Sequence, residues 1–507
     1  MADNSGLIVD ALERTAPDLA RSIDAQNSWK AAVRKRGARV KLYRNYERGD
    51  HRANMQTETK KMLRIKDDDA ELTDLNINYC KVVIDKMASR LHVSNITADN
   101  DAADAWVEEM LKRNSFDAQQ SEWYRGAIRD GDSFIMVDPE TLLWVSEPAY
   151  DGFSGLVIII DSMERTPVWA CKLWSEADTS DIAGDEPLTE VIMKMVVYQP
   201  DFISFWKGEE GGAQIMADNV EPVSPIPGLE TGNFTPWPLG RLPIVPISNQ
   251  KDNYTSYGES EIRVVIPLQD SLNSVQSDKI TASKFSAFKL LWSIGFEIDV
   301  DGVVPGGVIN LVLKDGSNVV TDPTDAQLEF LKSARVGQFE ATDISQYTNQ
   351  IEKETQQISQ VSQTPIYGVT AQGNLSGEAL KQLEIGLLNK IERFQHQNVD
   401  AIKTLLQLTA DIQNQWNTEV GGTAPTFDDV RIIWKSAEIL DINARIQTLV
   451  TLLEKAPGLF SDEWFIRRIG SLIGMGQSDL DEEVEKADNQ RGFNFDLFTA
   501  ANNEQAA

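Results

Sequence analysis

Apolar residues recur at helical spacing through much of the first 130 positions. Ala105, Val107, Met110 and Leu111 sit among acids in 102–112, and 121–129 continues in that style. GDSFIMVD (131–138) switches to strand character. From there to about residue 250, runs such as LVIIID, TPVWACKLW, EVIMKMVVYQ and FISFWK alternate with Gly, Pro and Asp turn signals. A helical region followed by an antiparallel β-rich one predicts the α+β class. Residues 222–246 hold seven prolines and predict a long irregular connection.

After Tyr257 the pattern predicts long helices. Ile262, Val265, Leu268, Leu272 and Val275 put an apolar stripe on a helix over 259–294 that Gly295 stops. Pro267 either kinks it or marks its first turn. The next stretch, 296–320, carries strand patterns between DG, PGG and DGSN turns. A second helix is predicted over about 338–361, with a narrow stripe of Ile344, Tyr347, Ile351, Ile358 and Val361 and other faces crowded with Gln, Asn, Ser and Thr. The third runs from the N-cap Ser376 to Asn417 without a proline. Its 42 residues would span about 63 Å. Gly386 is its expected bend point. A strand at VRIIW (430–434), shorter helical segments over 441–487 and a frayed polar end complete the chain.

At 507 residues the chain is long enough for two or more packed regions. Its net charge of -30 repels phosphate and disfavours general electrostatic binding to nucleic acid. The charge is uneven: residues 1–66 hold 15 Lys/Arg against 8 Asp/Glu, leaving 33 against 70 for the rest. The cationic run WKAAVRKRGARVKLYRNY (29–46) reads either as a solvated helix or as a dock for an acidic partner. Cys80 and Cys171 lie in apolar segments, which predicts buried thiols in a reducing compartment. The longest apolar run is short, so neither a membrane span nor a secretion signal is expected.

Catalytic motifs are not found. The sequence contains no G-x-x-x-x-G-K-[ST], G-x-S-x-G, H-E-x-x-H or C-x-x-C, and its three histidines, His51, His92 and His396, are scattered. Acid clusters at 67–69, Asp299/Asp301 and 479–483 read as solvated turns or, on a nuclease hypothesis, as a divalent-cation site. The expectation is a chain with no cofactor, no metal and no catalytic residue.

Five segments resemble, in order, the portal proteins of long-tailed double-stranded DNA bacteriophages. YRNYERGDH (43–51) resembles a tyrosine-rich motif of that family. NINYCKVVIDKMASRL (76–91) is similar to the helix that follows it, and RDGDSFIMVD (129–138) to the turn into the wing strands. LPIVPISNQ (242–250) with YGESEIRVVIPLQDSLNSVQSD (257–278) resembles the block opening the first stem helix. TPIYG (364–368) and SGEALK (376–381) resemble the signature around the tunnel loop. The resemblance implies a wing over 1–255 completed by a strand at 427–436, a first stem helix over 256–295 and a clip over 296–337. A second stem helix over 338–361, a tunnel loop over 362–375, a long wing helix over 376–418, a crown over 440–490 and a flexible tail over 491–507 would follow.

It further implies a twelve-subunit ring at one capsid vertex, assembled in the host cytoplasm. DNA would pass through it during packaging and ejection, without sequence specificity. Terminase large subunit, head-tail adaptor, major capsid protein and scaffolding protein are the implied partners, with no membrane. Another connector or structural ring protein, or a metal-dependent nuclease, is the alternative.

A helix with a narrow apolar stripe and a neutral wet face suits a bore, because few fixed charges hold a sliding phosphate backbone. Gln346, Gln350 and Gln357 are the candidate lining on the second helix, with Lys279 and Lys284 on the first. Lys279, Lys284 and Lys289 are five residues apart and cannot share one face. Gln363, Thr364, Ile366, Tyr367, Val369, Thr370, Gln372 and Asn374, in a stretch without charge, are the candidate DNA-facing loop. Asp299, Asp301, Lys314 and Asp315 are the candidate docking residues of the clip.

Overall fold

The computed structural model describes residues 5–16, 19–20, 29–50, 77–161, 166–177, 191–208, 220–222, 234–237, 239–251, 257–287, 291–294, 314–315, 318–319, 324, 335–338, 343–366, 377–415, 422–427, 429–437, 449, 451 and 462–473. Helix and strand are mixed, as the α+β expectation has it. The chain divides into two compact units, Met1–Lys435 and Ser436–Ala507. In the second, α9 (Asp462–Ile473) buries Phe465, Ile466 and Ile469.

The first unit begins with α1 (Ser5–Thr15), α2 (Trp29–Arg48) and α3 (Tyr79–Ala88), then β1 (Val93–Ala98), α4 (Asp101–Arg113) and α5 (Phe116–Asp130). The β-rich stretch supplies β2 (Asp132–Val137), β3 (Trp144–Pro148), β4 (Gly155–Ile160), β5 (Pro167–Ala177), β6 (Val191–Tyr198), β7 (Phe202–Gly208), β8 (Val220–Pro222), β9 (Phe234–Pro236) and β10 (Ile244–Ser248). Strands β4 to β8 pair in sequence order, with β9 also on β7, and all these ladders are antiparallel. The order β10-β2-β3 makes a second antiparallel sheet. Ile8, Ala11 and Leu12 of α1 share a core with Trp169, Cys171, Leu173 and Val197 of the larger sheet. Both cysteines are buried free thiols, as expected.

After these come α6 (Ile266–Ala287), β11 (Leu291–Ile294), β12 (Lys314–Asp315), β13 (Asn318–Val319), β14 (Arg335–Gln338), α7 (Ser345–Val361), α8 (Gly377–Gln415) and β15 (Val430–Trp434). Strand β15 returns across more than 300 positions to pair with β1. At 39 residues, α8 is about 58 Å long.

Two helix boundaries differ from expectation. The first long helix starts at Ile266, because Pro267 has no N–H to donate and fits a first turn, and it ends at Ala287. Leu291–Ile294, read as its last turn, is a strand paired with Arg335–Gln338, whose last residue was read as the start of the next helix. An apolar LLWSI run fits either period, and only the long-range partner decides. Val361, counted in the second helix's apolar stripe, is exposed.

One polar junction fixes how these elements meet. Gly131 ends α5 with φ of 93°, and Asp130 and Asp132 flank it, both buried. Asp130 accepts hydrogen bonds from Arg44 at 2.9 Å and Arg129 at 2.8 Å. Asp132 accepts from Arg36, from Ser248 at 2.7 Å and from the Gly258 N–H at 3.0 Å. The backbone closes the same knot. Asn249 N–H donates to Gly131 O at 2.8 Å, Glu259 N–H to Asn249 O at 2.8 Å and Glu261 N–H to Ile128 O at 3.0 Å. Arg36 stacks over the Tyr257 ring, 3.7 Å from its centroid, and the Tyr257 hydroxyl donates to Ile158 O. Burial pushes that phenol up to about 12.

A second tier extends the junction. Tyr46 donates to Asp270, Tyr43 to Glu259, and Asn78 to the carbonyls of Tyr46 and Glu47. Gln269 accepts from Tyr79 N–H at 2.8 Å and donates to Ile77 O. Glu47 receives Arg125 and Arg129, and Asp85 receives Arg125 and Lys81. Four of the five segments singled out above therefore converge on one place.

Gly258 approaches the junction so closely that a Cβ there would fall well inside contact distance of the carbonyl oxygens of Gly131 and Asn249. Gly258→Ala is expected to destabilise the fold by roughly 3 kcal/mol, the upper end of overpacking costs, measured by urea unfolding. Glu47 gives a pH test. Burial works to raise its carboxyl pKa, but Arg129 and Arg125 outweigh it and hold the group below its ordinary value; Asp85 is likewise lowered. A depressed folded pKa contributes stability above the unfolded value and loses it as pH falls through the folded value. Stability is thus expected to fall as pH drops below about 4.5, the usual glutamate value. Glu47→Gln should flatten the acid-unfolding curve in that window, and an unchanged slope would count against the pairing.

Candidate nucleic-acid channel

Helices α6 and α7 pack together, burying Leu272 and Val275 on one and Thr355 and Ile358 on the other. Ser271 donates to Glu354 across the pair at 2.9 Å. With Ile344, Tyr347, Ile351 and Ile358 turned inward or half-buried, the opposite face of α7 is open. Gln346, Gln350 and Gln357, the residues chosen from the sequence, are all exposed there. At 100° per residue they lie within about 40° of one another. Lys353 falls on the same face and is exposed too. The glutamine count had hidden it: the wet face is polar but carries one cation per chain.

On α6, Lys279 is half-buried, and Lys284 lies in the helix with its side chain outside the described residues. Lys314 and Asp315 form β12, paired with Val319 and Asn318 of β13 across the predicted DGSN turn. Asp299 and Asp301 lie outside the described residues.

The segment after α7 is clamped. Lys390 of α8 donates to Ser362 O at 2.7 Å and pairs with Glu261 at 2.5 Å, both side chains almost fully buried. Lys86 of α3 donates to Pro365 O. Ser359 donates to Thr364 O, whose own N–H donates to Ser359 O. Burial, then Arg90, lowers the Lys86 pKa, with Glu384 opposing. Gly386, the expected bend point, is a close approach: a Cβ there would meet Gln363 at 3.1 Å.

These contacts sort the candidate loop residues. Gln363 is exposed with a left-handed φ of 50°, and Ile366 is half-buried. Thr364 was chosen as DNA-facing, but it is 0% exposed and its hydroxyl donates to Ser362 O. Its side chain serves the clamp. Tyr367, Val369, Thr370, Gln372 and Asn374 lie outside the described residues. Among the described residues, no helix is long and apolar enough to cross a membrane.

Comparison with known proteins adds the following. Solved structures similar to the chain include two from gene transfer agent particles. One is a chain from the virion of a native gene transfer agent particle, 11% identical over 78% of this chain and 88% of the other, with a TM-score of 0.38. The second comes from the neck of a native gene transfer agent particle computed with C12 symmetry, also 11% identical over 78% and 88%, with a TM-score of 0.37. No curated protein matches. The family model for phage portal protein, SPP1 Gp6-like, matches residues 32–491, a span that takes in the junction, the α6/α7 pair and α8. Over nine-tenths of its length, then, the chain belongs to the SPP1 Gp6-like family of phage portal proteins.

Proposed function

We propose that this portal protein forms a twelve-subunit ring in the virion, at the capsid vertex through which DNA passes during packaging and ejection. The supporting observation is the open face of α7, where Gln346, Gln350, Lys353 and Gln357 line one side of a helix whose other side is packed on α6. Repeated around an axis, that face makes a hydrated bore with a single cation per subunit. Such a bore offers water-exchangeable hydrogen bonds and few fixed ion pairs, so phosphates pass without long dwell.

In this reading α6 and α7 are the stem, and the segment between β11 and β14 is the clip. The clip is where terminase and later the adaptor would dock. The uncharged segment after Pro365 is the tunnel loop, held at its base by Lys86 and Lys390. The sheets and α8 form the wing, and residues 440–490 the crown. The chain acts as a conduit and a docking ring, with no chemical step of its own.

Negative-stain microscopy of the purified protein tests the ring, with closed rings of about twelvefold symmetry expected. A monodisperse monomer at all salt concentrations would contradict it. For the bore, Gln350→Lys adds a second cation per subunit to the α7 face. Packaging should slow or stall at low salt and recover in part as salt rises, with rings unchanged. Packaging at the wild-type rate at every salt concentration would remove this face from the DNA path.

A further inference from the structure

Helix α2 carries a concentration of cations that the described residues pair only in part. Its twenty residues hold eight cations, Lys30, Arg34, Lys35, Arg36, Arg39, Lys41, Arg44 and Arg48, against one acid, Glu47. Two of these turn inward: Arg36 reaches Asp132, and Arg44 reaches Asp130 and Asp151. Val33, Val40, Tyr43 and Tyr46 bury the same side. The outer side exposes Lys35, Arg39, Lys41 and Arg48, none of which forms an ion pair with a described residue.

That arrangement is unfavourable in an isolated chain. Lys35 and Arg39 stand four residues apart, where like charges destabilise a helix by about 0.2–0.5 kcal/mol. The first turn has no acid to offset the helix dipole. Yet the chain as a whole is at -30. Leu42 sits in the middle of the basic strip and is 42% exposed. A phosphate backbone has no use for an apolar side chain at the centre of its contact, whereas a protein surface does.

We propose that the outer face of α2 is an interface between subunits, seated on an acidic surface of the adjacent copy. This rests on the portal reading. Subunits at -30 each repel one another, and closing them into a ring needs local attraction at every joint. A ring interface is heterologous, so a basic face on one copy meets a different face on the next. The chain outside residues 1–66, with 33 Lys/Arg against 70 Asp/Glu, supplies acidic surface for it.

The test places the photocrosslinker p-benzoylphenylalanine at position 42 of the full-length protein. Irradiated rings should yield a covalent ladder at multiples of the subunit mass, with Asp/Glu-rich crosslinked peptides. The variant Lys35→Glu/Arg39→Glu/Lys41→Glu changes only exposed side chains. It should keep the wild-type far-UV circular dichroism and lose its rings, leaving folded monomers. Intact rings without a ladder, crosslinks only to added duplex DNA, or a triple variant whose rings survive in the same salt as wild type would each overturn the proposal. Wild-type protein that never forms rings would overturn the portal reading beneath it.

Discussion

Two buried carboxylates on either side of one glycine fix how the elements of the first unit meet. Asp130 and Asp132 point their oxygens at three arginines, a serine and a backbone amide drawn from α2, α5, β10 and the turn before α6. Gly131 has no side chain to keep the Gly258 and Glu259 backbones away. Remove the glycines and the carbonyls collide; remove the acids and half-buried guanidinium groups lose their counter-charge. The start of α6 is held by this knot and by the Lys390 to Glu261 pair, beside the buried Ile262, Val265, Leu272 and Val275.

A network of this kind adds little net stability. Bringing Arg44, Arg129, Asp130 and Asp132 out of water costs about as much as their attraction returns, whereas deleting one partner of a buried pair costs about 3–5 kcal/mol. Stability comes instead from apolar packing: Trp123, Tyr124, Trp144 and Phe394 in one region and the α1-covered sheet in another. We assign the network a positional role. It sets where α6 leaves the sheets, and through Lys390 it ties α8 and the loop base to the same point. On the proposed function the DNA-facing helices must keep their register, and a directional polar knot suits that better than a greasy contact that can slide.

Much of this was legible from residue order alone. Periodicity found α7, α8 and the antiparallel strands, and the DGSN turn placed the β12/β13 hairpin. The exposure of Gln346, Gln350 and Gln357 follows directly from a narrow apolar stripe. Other features were hidden for physical reasons. Leu291–Ile294 has a strand partner more than forty positions away, and nothing local separates it from a helix end. Thr364 is small, neutral and next to proline, so it looks like loop, but its burial depends on Lys390 and Ser359. Arg36 and Arg44 read as solvent-facing cations until Asp132 and Asp130, about ninety positions on, come into view. Lys353 needed no distant partner: projecting every residue of α7 onto its face, cations included, would have found it.

The central claim is that the turn around Gly131 and Gly258 is a rigid part of the first unit and not a surface loop. Amide hydrogen exchange reads it directly, since the amides of Asn249, Glu259 and Glu261 each donate into the knot. The account predicts that these three exchange as slowly as the amides of β2, opening only with the whole unit. If they exchange within seconds while β2 stays protected, the knot does not hold the helices, and the direction of α6 has another cause.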